Sequence, residues 1–588
     1  MKITRIIINN YRNLKSIDVP LNDTVAIIGE NNSGKSNFLR ALTLPFLSDE
    51  FSSSNKKLSW VDINNKAKQE YYQWLIDNQD AIKNGSISQT DFIKNMPVIS
   101  VEVHLLPDNT EGFFVKELCF DIDGDEILYG LKYEYKPNKL QEIYEMVKHI
   151  LKKETLTEET LKDVKMNLLP IEYYSYSIYV PGKESVPYDV LKLYKYTSLE
   201  AERDDFSRTK EKIGSKSLVK LLQSGLSNDD KLTIEKEYTN FFEKIKSVSK
   251  MDSLINWQEY TEIEDAKDFF AHISILPNMP QMQSLLSSIR LGYSDAELSL
   301  QGLGYRNLIL LLVLIHSLMN TKDDTALHVL TIEEPEAHLC INNIRLMVSF
   351  LRIFTNKNPS TQLFYSTHNT EFINKMDLKN VIVIHDGQAF SFLDEFTDKE
   401  LDYLTKNPNL DLFKLFFSKK CILFEGISEE MLIRAYIDSK DELSDIEPLS
   451  FHKGYIDIIK IWKKVNCNTS NRLGIIRDYD NQPSAKKKHD VYDDGKSICV
   501  RTTSEYTLES EFIKTDNNYQ VLKSKYGETF GWKDYDIEQM QKAWREAKAS
   551  DMLTICKDIA NGNLPELKMP NHIQQVLDFL TQKDGESE

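Results

Sequence analysis

Apolar and polar positions alternate from the first residues, so the chain opens as a strand. Lys2 to Asn9 alternates and is rich in isoleucine, and a second such run follows Asn10-Tyr11-Arg12-Asn13-Leu14 and ends at Leu21. Thr24 to Ile28 is short, apolar and β-branched, which predicts a buried strand, and Asn37 to Leu42 has helical spacing. Residues 50 to 98 are irregular and partly helical in pattern. Val98 to Leu105 alternates again, and Leu118 to Ile122 with Glu126 to Tyr135 can pair with it around Asp123-Gly124-Asp125. From 137 to 285 charged helical stretches (Gln141 to Lys153, Thr157 to Val164, Ser215 to Leu222, Leu232 to Lys250) are joined by Gly, Ser and Asn turns. That pattern fits a helical insertion that dimerises or reaches a partner, or a solvated helical spacer. Leu308 to Leu318, the most apolar run, is far short of the ~20 residues of a membrane span and predicts a buried helix. Apolar strands are then expected at His328 to Ile332, Gln362 to Tyr365, Lys420 to Phe424, Leu473 to Arg477 and Ile498 to Thr502. Residues 388 to 417, rich in Phe, Leu and charges, read as a helical connector.

Several of these strands end in residues with chemistry. Gly29-Glu30-Asn31-Asn32-Ser33-Gly34-Lys35-Ser36 fits G-x-x-x-x-G-K-[ST], between a strand and a helix as that motif requires. Backbone N–H groups from Gly29 through Asn32, Ser33, Gly34 and Asn37 would cradle phosphates at the helix N-terminus. Lys35 would reach the β- and γ-phosphates of ATP, and the Ser36 hydroxyl would hold Mg²⁺. Leu298-Ser299-Leu300-Gln301-Gly302-Leu303-Gly304 precedes the apolar helix, so Ser299 and Gly302 form either a second anion site or a plain helix cap. The strand ending at Ile332 runs into Glu333-Glu334-Pro335-Glu336. Glu333 suits a metal ligand and Glu334 a base that polarises attacking water, since like charges so close raise one pKa. The next strand ends at Ser366-Thr367-His368, where His368 can touch the γ-phosphate, although a lone His is usually structural.

A second set of acids lies further on. Glu425 follows an apolar strand, with Gly426 allowing a tight turn and Glu429 one helical turn later. Asp478 and Asp480, two apart after another apolar strand, share a face. Such carboxylates suit Mg²⁺ or Mn²⁺, and two such ions activate water and stabilise the leaving oxygen in phosphodiester cleavage. Lys548 is the candidate cation for transition-state charge. Lys486-Lys487-Lys488 is either a local DNA phosphate contact or a solvated loop, with Lys414, Lys419 and Lys420 weaker candidates.

Composition narrows the setting. At 588 residues the chain has room for three or four domains of ~150 residues, divided by these signals at 1–136, 137–285, 286–395 and 396–588. A net charge of −18 argues against a general basic coat, so any DNA contact must be local. Six scattered cysteines without C-x-x-C or zinc spacing read as reduced thiols of a cytoplasmic protein. The opening strand leaves no charged and apolar leader, and no membrane segment is expected.

The phosphate loop, the Ser299–Gly304 loop, the Glu-Glu-Pro-Glu box and the Ser-Thr-His strand, in that order, resemble the ABC-type ATPase head of recombination and chromosome-maintenance ATPases. In that family two heads sandwich ATP, which implies a homodimer or higher oligomer. Glu333 stands where the wider family usually has Asp, and the signature loop lacks a Ser-Gly-Gly-Gln run. Glu425-Gly426-x-x-Glu429 with Asp478-x-Asp480 resembles a Toprim domain. Head and Toprim domain together resemble the OLD (overcoming lysogenization defect) family of endonucleases, and within it the Gabija-type nuclease-ATPase subunits of anti-phage systems. The resemblance implies an α/β fold: a P-loop head interrupted by a helical dimerisation insertion, then a C-terminal Toprim unit. It implies an ATP-binding, nucleotide-regulated, metal-dependent DNA endonuclease in antiviral defence. Carried over, Glu425, Glu429, Asp478, Asp480 and Glu509 would bind metal, with Lys548 assisting, while Glu505 and Glu511 stay outside the set. Family members act alone, with a helicase-like partner, or beside a retron's reverse transcriptase and its RNA–DNA product. A DNA-clamping ATPase that does not cut is the alternative, and its mark would be a long heptad coiled coil.

Overall fold

The computed structural model describes residues 1–49, 56–108, 111–123, 126–183, 185–201, 213–249, 281–293, 296–320, 325–357, 360–373, 376–393, 396–397, 401, 411–450, 455–467, 469–479, 481–505, 507–547 and 549–582. Three sheets carry the architecture. The first is antiparallel, in the order Leu14–Pro20, Lys2–Tyr11, Ile99–Leu106, Glu126–Pro137, Cys119–Asp123, with Tyr174–Tyr179 pairing the other half of Glu126–Pro137. Its alternation buries Ile6 and Ile8 fully on one face, and a register irregularity between Ile3 and Arg5 lets Ile3 be fully buried as well.

The central sheet runs Gln388–Ser391, Val381–His385, Thr24–Ile28, Thr361–Thr367, Leu327–Glu333, Tyr194–Leu199, Leu47–Ser48, all parallel except the first strand. Its interior strands are continuous apolar runs, as burial on both faces requires. On one face Ile27, Val329 and Phe364 share a core with Phe38 and Leu42 of helix Lys35–Thr43 and with the antiparallel sheet. On the other, helices Leu303–Asn320 and Ile341–Lys357 cover Leu330, Ile332, Leu363 and Tyr365. Register aligns Glu333 with Ser366 and Thr367 with Ile28, so these strands finish together at one edge. The third sheet is wholly parallel: Ile446–Ser450, Lys420–Phe424, Arg472–Arg477, Ile498–Thr502. Among the described residues no helix is long and apolar enough to cross a membrane.

Several strands are not legible as such in the sequence. Tyr174–Tyr179 and Tyr194–Leu199 lie inside the stretch read as a helical insertion, yet they complete the two head sheets. Both alternate around tyrosines, a short signal flanked by charged helices. Helices Ile213–Gly225 and Asn228–Val248 do follow, the first packing on Leu303–Asn320. Gln388–Ser391, assigned to a helical connector, is instead the return strand of a hairpin. Asp386 and Gly387, at φ 45° and 72°, form its two-residue turn. Ile446–Ser450 is the short edge strand of the third sheet, with a proline in its middle that weakens its signal.

Gly387 combines a positive φ with a close approach, because a Cβ there would fall on the Asn13 carbonyl. Gly182 has the same sign of φ, at 75°, but open space around it. Gly182→Ala is therefore expected to cost about 1 kcal/mol and Gly387→Ala about 3 kcal/mol, measured as unfolding free energies in urea. Equal losses at the two positions would show that backbone strain alone, not the packed turn, sets the cost.

Candidate functional site

The phosphate loop leaves strand Thr24–Ile28 and enters helix Lys35–Thr43 through Gly34, whose φ of 121° favours glycine. Asn32 is also left-handed, at φ 65°. Lys35 is only 7 % exposed and its Nζ donates to the carbonyls of Gly29 and Glu30 at 2.8 Å each. Burial pushes its ammonium pKa down, while Glu334, Glu336, Glu30 and Glu333 pull it back up. The Ser36 hydroxyl donates to Glu333 Oε2 at 2.9 Å, joining loop and acid box. Ser33 Oγ is buried without a hydrogen-bond partner, an orphan that a phosphate oxygen would satisfy.

A clamp that sequence reasoning missed holds this loop. Asn13 Nδ2 donates to the Ser33 carbonyl at 2.8 Å, and Asn37 Nδ2 donates to Asn13 Oδ1 at 2.8 Å. Arg12 donates to Asn37 Oδ1 at 2.9 Å and to Asp62 Oδ1 at 2.8 Å. Only the left-handed geometry of the Asn10–Leu14 turn (Asn10 φ 58°, Arg12 φ 49°) aims these side chains at the loop. Its Asn and Arg content was the available signal.

Beyond strand Leu327–Glu333 the chain turns sharply, with Glu334 at φ 42° and its N–H donating to the Ser366 carbonyl at 3.0 Å. Glu334 Oε1 lies 3.6 Å from His368 Nδ1, so the expected base and histidine do meet. Glu336, absent from the predicted set, is buried. It accepts hydrogen bonds from Thr367 Oγ1 at 2.5 Å and the His368 N–H at 3.2 Å. Burial raises its pKa against those donors. The side chain of Ser299 lies outside the described residues, and Gly302 stands in open space just before its helix. Gly304 packs against the chain just past the acid box, where a Cβ would fall on the His338 carbonyl.

In the third sheet, Leu423 pairs with Ile475 and Arg477 with Thr502, so Glu425 and Asp478 follow the carboxyl ends of adjacent strands. Glu429, in the first turn of helix Ile427–Asp438, is 6 % exposed. Burial first, then the charges of Glu509 and Glu425, push its carboxyl up to about 7. Glu509, in the first turn of Leu508–Lys514, is buried as well. Asp480 and Lys548 lie outside the described residues, and among those described no three acids, His or Cys form a metal-holding group. Among the described residues Arg477 supplies a cation here, its Nε 3.3 Å from Glu425 Oε1. Glu511 is no surface acid: it accepts from the Ser504 N–H at 2.6 Å and sits 2.9 Å from His572 Nδ1. Burial opposes its ionisation, but His572 and two backbone N–H groups outweigh it and hold its pKa low. Glu505 pairs with Lys514 at 3.0 Å.

Lys486, Lys487 and Lys488 occupy a helix, Pro483–Asp490, rather than a loop. Lys486, Lys487 and Lys488 all lie away from the core on that helix, whose single buried side chain is His489, with Nδ1 2.7 Å from the Ala485 carbonyl. Lys414 and Lys420 are paired with Glu447 at 2.6 Å and Asp445 at 2.7 Å, which explains both without a ligand.

The chain is 22% identical to "Endonuclease GajA" of Bacillus cereus (strain HuB5-5), over 88% of this chain and 81% of that protein. Solved structures with partial overlap include the Smc head bound to the C-winged helix domain of ScpA: 14% identity, 67% of this chain, 98% of that one, TM-score 0.32. The SMC head domain from Thermotoga maritima overlaps similarly: 14% identity, 66% of this chain, 97% of that one, TM-score 0.28. Overlaps that loose say nothing about activity. The family model described as "AAA ATPase domain" matches residues 1–373, well over half of the chain and the span that holds the phosphate loop, Glu333, Glu334 and His368. The chain belongs to that ATPase family.

Proposed function

We propose that the chain is an ATP-binding, nucleotide-regulated DNA endonuclease that uses Mg²⁺ or Mn²⁺. The observation that carries this reading is the acid group at the ends of the third sheet, in which Glu429 and Glu509 are buried. Glu429 is pushed up to about 7 by burial and by Glu509 and Glu425, so the cluster is short of positive charge. Its oxygen-only donor set fits a hard divalent cation, and a Cβ on Gly426 would fall against Glu429 Oε2. The likeness to an endonuclease over most of the chain points the same way. In this reading Glu425, Glu429, Asp478, Asp480 and Glu509 hold the metal in a Toprim-like unit, and Lys548 lends charge. Held there, a divalent cation would supply an activated water and charge to stabilise the leaving oxygen of the phosphodiester. The lysines of helix Pro483–Asp490 hold a DNA phosphate beside it.

In the head, Lys35 and the orphaned Ser33 hydroxyl take phosphate oxygens, Ser36 and Glu333 hold Mg²⁺, and Glu334 with His368 orients water. Two heads pair, with Ser299 and Gly302 facing a partner's phosphate loop. The head informs the cutting unit through His385. Its Nδ1 is 3.8 Å from Glu30 Oε2 on the loop, and its ring meets Phe417 edge-on at 6.2 Å. Phe417 ends the helix that leads into strand Lys420–Phe424 and hence Glu425.

Plasmid cleavage with Mn²⁺ tests the reading. Glu425→Ala is expected to cut at least ~10²-fold more slowly. Lys35→Ala should lose nucleotide binding and, with it, any response of cleavage to ATP. His385→Ala should bind nucleotide normally yet respond weakly. Wild type that never cuts while hydrolysing ATP would sink the endonuclease reading. Replacing Lys486, Lys487 and Lys488 with Gln should flatten the salt dependence of DNA affinity, by roughly 0.9 in log–log slope for each phosphate the helix no longer neutralises. An unchanged slope would remove that helix from the DNA interface.

Glu429 also makes a pH prediction. Its folded pKa, about 7, lies above the ordinary carboxylate value of 4.5. Between those values the native state binds more protons than the unfolded chain, so wild-type stability falls as pH rises through that window. With EDTA present, the stability gap between wild type and Glu429→Gln should shift by roughly 3 kcal/mol against wild type as pH rises across that window. Parallel urea-unfolding curves for the two proteins across that range would contradict it.

A further inference from the structure

The acid cluster carries a built-in cation. Arg477 closes strand Arg472–Arg477 and is only 8 % exposed, unusual for an arginine. Its backbone is held from the Ile498–Thr502 side: the carbonyl accepts from the Thr503 N–H at 2.9 Å, and the residue pairs with Thr502 in the sheet ladder. With its side chain buried at the strand end, its guanidinium Nε lies 3.3 Å from Glu425 Oε1. His489, the buried side chain of the lysine helix, has its pKa lowered by burial and then by Arg477's charge. A guanidinium never loses its proton at ordinary pH, so this charge is permanent.

We propose that Arg477 is a resident counter-charge that competes with a divalent cation for Glu425 and so sets how tightly the acid cluster takes metal. The inference rests on reading the cluster as a metal site. A partly buried ion pair must be opened or shared before Glu425 can turn its oxygens to a metal ion. The fixed positive charge also lowers the negative potential that any second cation would feel. Removing it strengthens that potential and releases Glu425 from the pair. Replacing it by lysine keeps the charge and loses only the planar fork.

The test is Mn²⁺ titration of the full chain by calorimetry, after EDTA stripping and without nucleotide. Arg477→Met is expected to bind Mn²⁺ about tenfold more tightly than wild type, and Arg477→Lys within about threefold of wild type. In a Glu425→Gln background the Arg477→Met gain should fall to about threefold or less, the effect of the fixed charge on the remaining acids alone, which a general structural loosening would not produce. Wild type that binds while Arg477→Met binds equally or more weakly overturns the inference. So does a lysine variant as altered as the methionine one. Should Arg477→Met fail to fold, the lysine variant with and without Glu425→Gln decides alone: a change of about tenfold or more, or one that persists without Glu425, overturns it. Wild type that takes up no Mn²⁺ at any concentration overturns the metal-site reading itself, a result distinguishable from all the others.

Discussion

The phosphate loop is wedged. A side chain on Gly29 would fall on the Ile384 carbonyl, and one on Gly387 on the carbonyl of Asn13. Three pieces of chain from far apart in sequence thus meet in close backbone approach at these glycines: the loop, the Asn10–Leu14 turn and the Ile384–Gly387 turn. The Gly387 N–H adds a contact to the Ser33 carbonyl at 3.3 Å. Much else follows from that junction. It fixes strand Val381–His385 beside Thr24–Ile28, forces the chain to reverse at Asp386-Gly387, and leaves His385 between the loop and Phe417. It also fixes the loop's shape before any ligand arrives, so phosphate contacts need little reorganisation.

The two acid constellations solve one electrostatic problem in different ways. In the head, each buried or half-buried carboxylate has a hydroxyl or cation within reach: Ser36 for Glu333, Thr367 for Glu336, and Lys35 facing all of them. In the third sheet the acids face one another. Glu429 answers with a raised pKa, Glu425 with Arg477, and Glu511, turned away, with His572. A site whose acids must be protonated or paired in the absence of ligand has its affinity for cations built in. A site already satisfied by hydroxyls favours a ligand that brings its own charge pattern, as a nucleotide with its metal ion does.

What can be read from the residues divides along the range of the interaction. The phosphate loop has a fixed local spacing, and its strand and helix follow to within a residue or two. The acid tips stand out because fully apolar strands lead into them. What stays hidden is set by distant partners. Tyr194–Leu199 is a strand because Leu327–Glu333, far along the chain, lies beside it, and its own residues carry only a weak alternation. Asn13 and Arg12 serve the loop only because the turn is left-handed. Glu336 looks like the least of three acids until Thr367, on the neighbouring strand, supplies its donor. Arg477 reads as no more than the end of a strand, and nothing in its own segment announces Glu425 as a neighbour.

A long insertion divides the nucleotide site without spoiling it. Thr24–Ile28, Thr361–Thr367 and Leu327–Glu333 are consecutive in the sheet although 297 residues separate Ser36 from the Glu333 it bonds. The intervening chain returns through Tyr194–Leu199, outside Leu327–Glu333, and its later helices leave from that side. Closing so long a loop costs little more than closing a short one, because the entropy grows only with the logarithm of length. The other flank of the sheet is where the third sheet joins: Ile28, Val381 and Val383 share one apolar core with Phe417, Leu423 and Ile475. The phosphate-loop strand and the strand that ends at Glu425 are therefore packed in the same core, on the flank away from the insertion. Under the proposed regulation, a shift of the loop would reach the carboxylates through these close-packed side chains, which resist compression and transmit displacement. Lengthening or shortening the insertion leaves that route untouched.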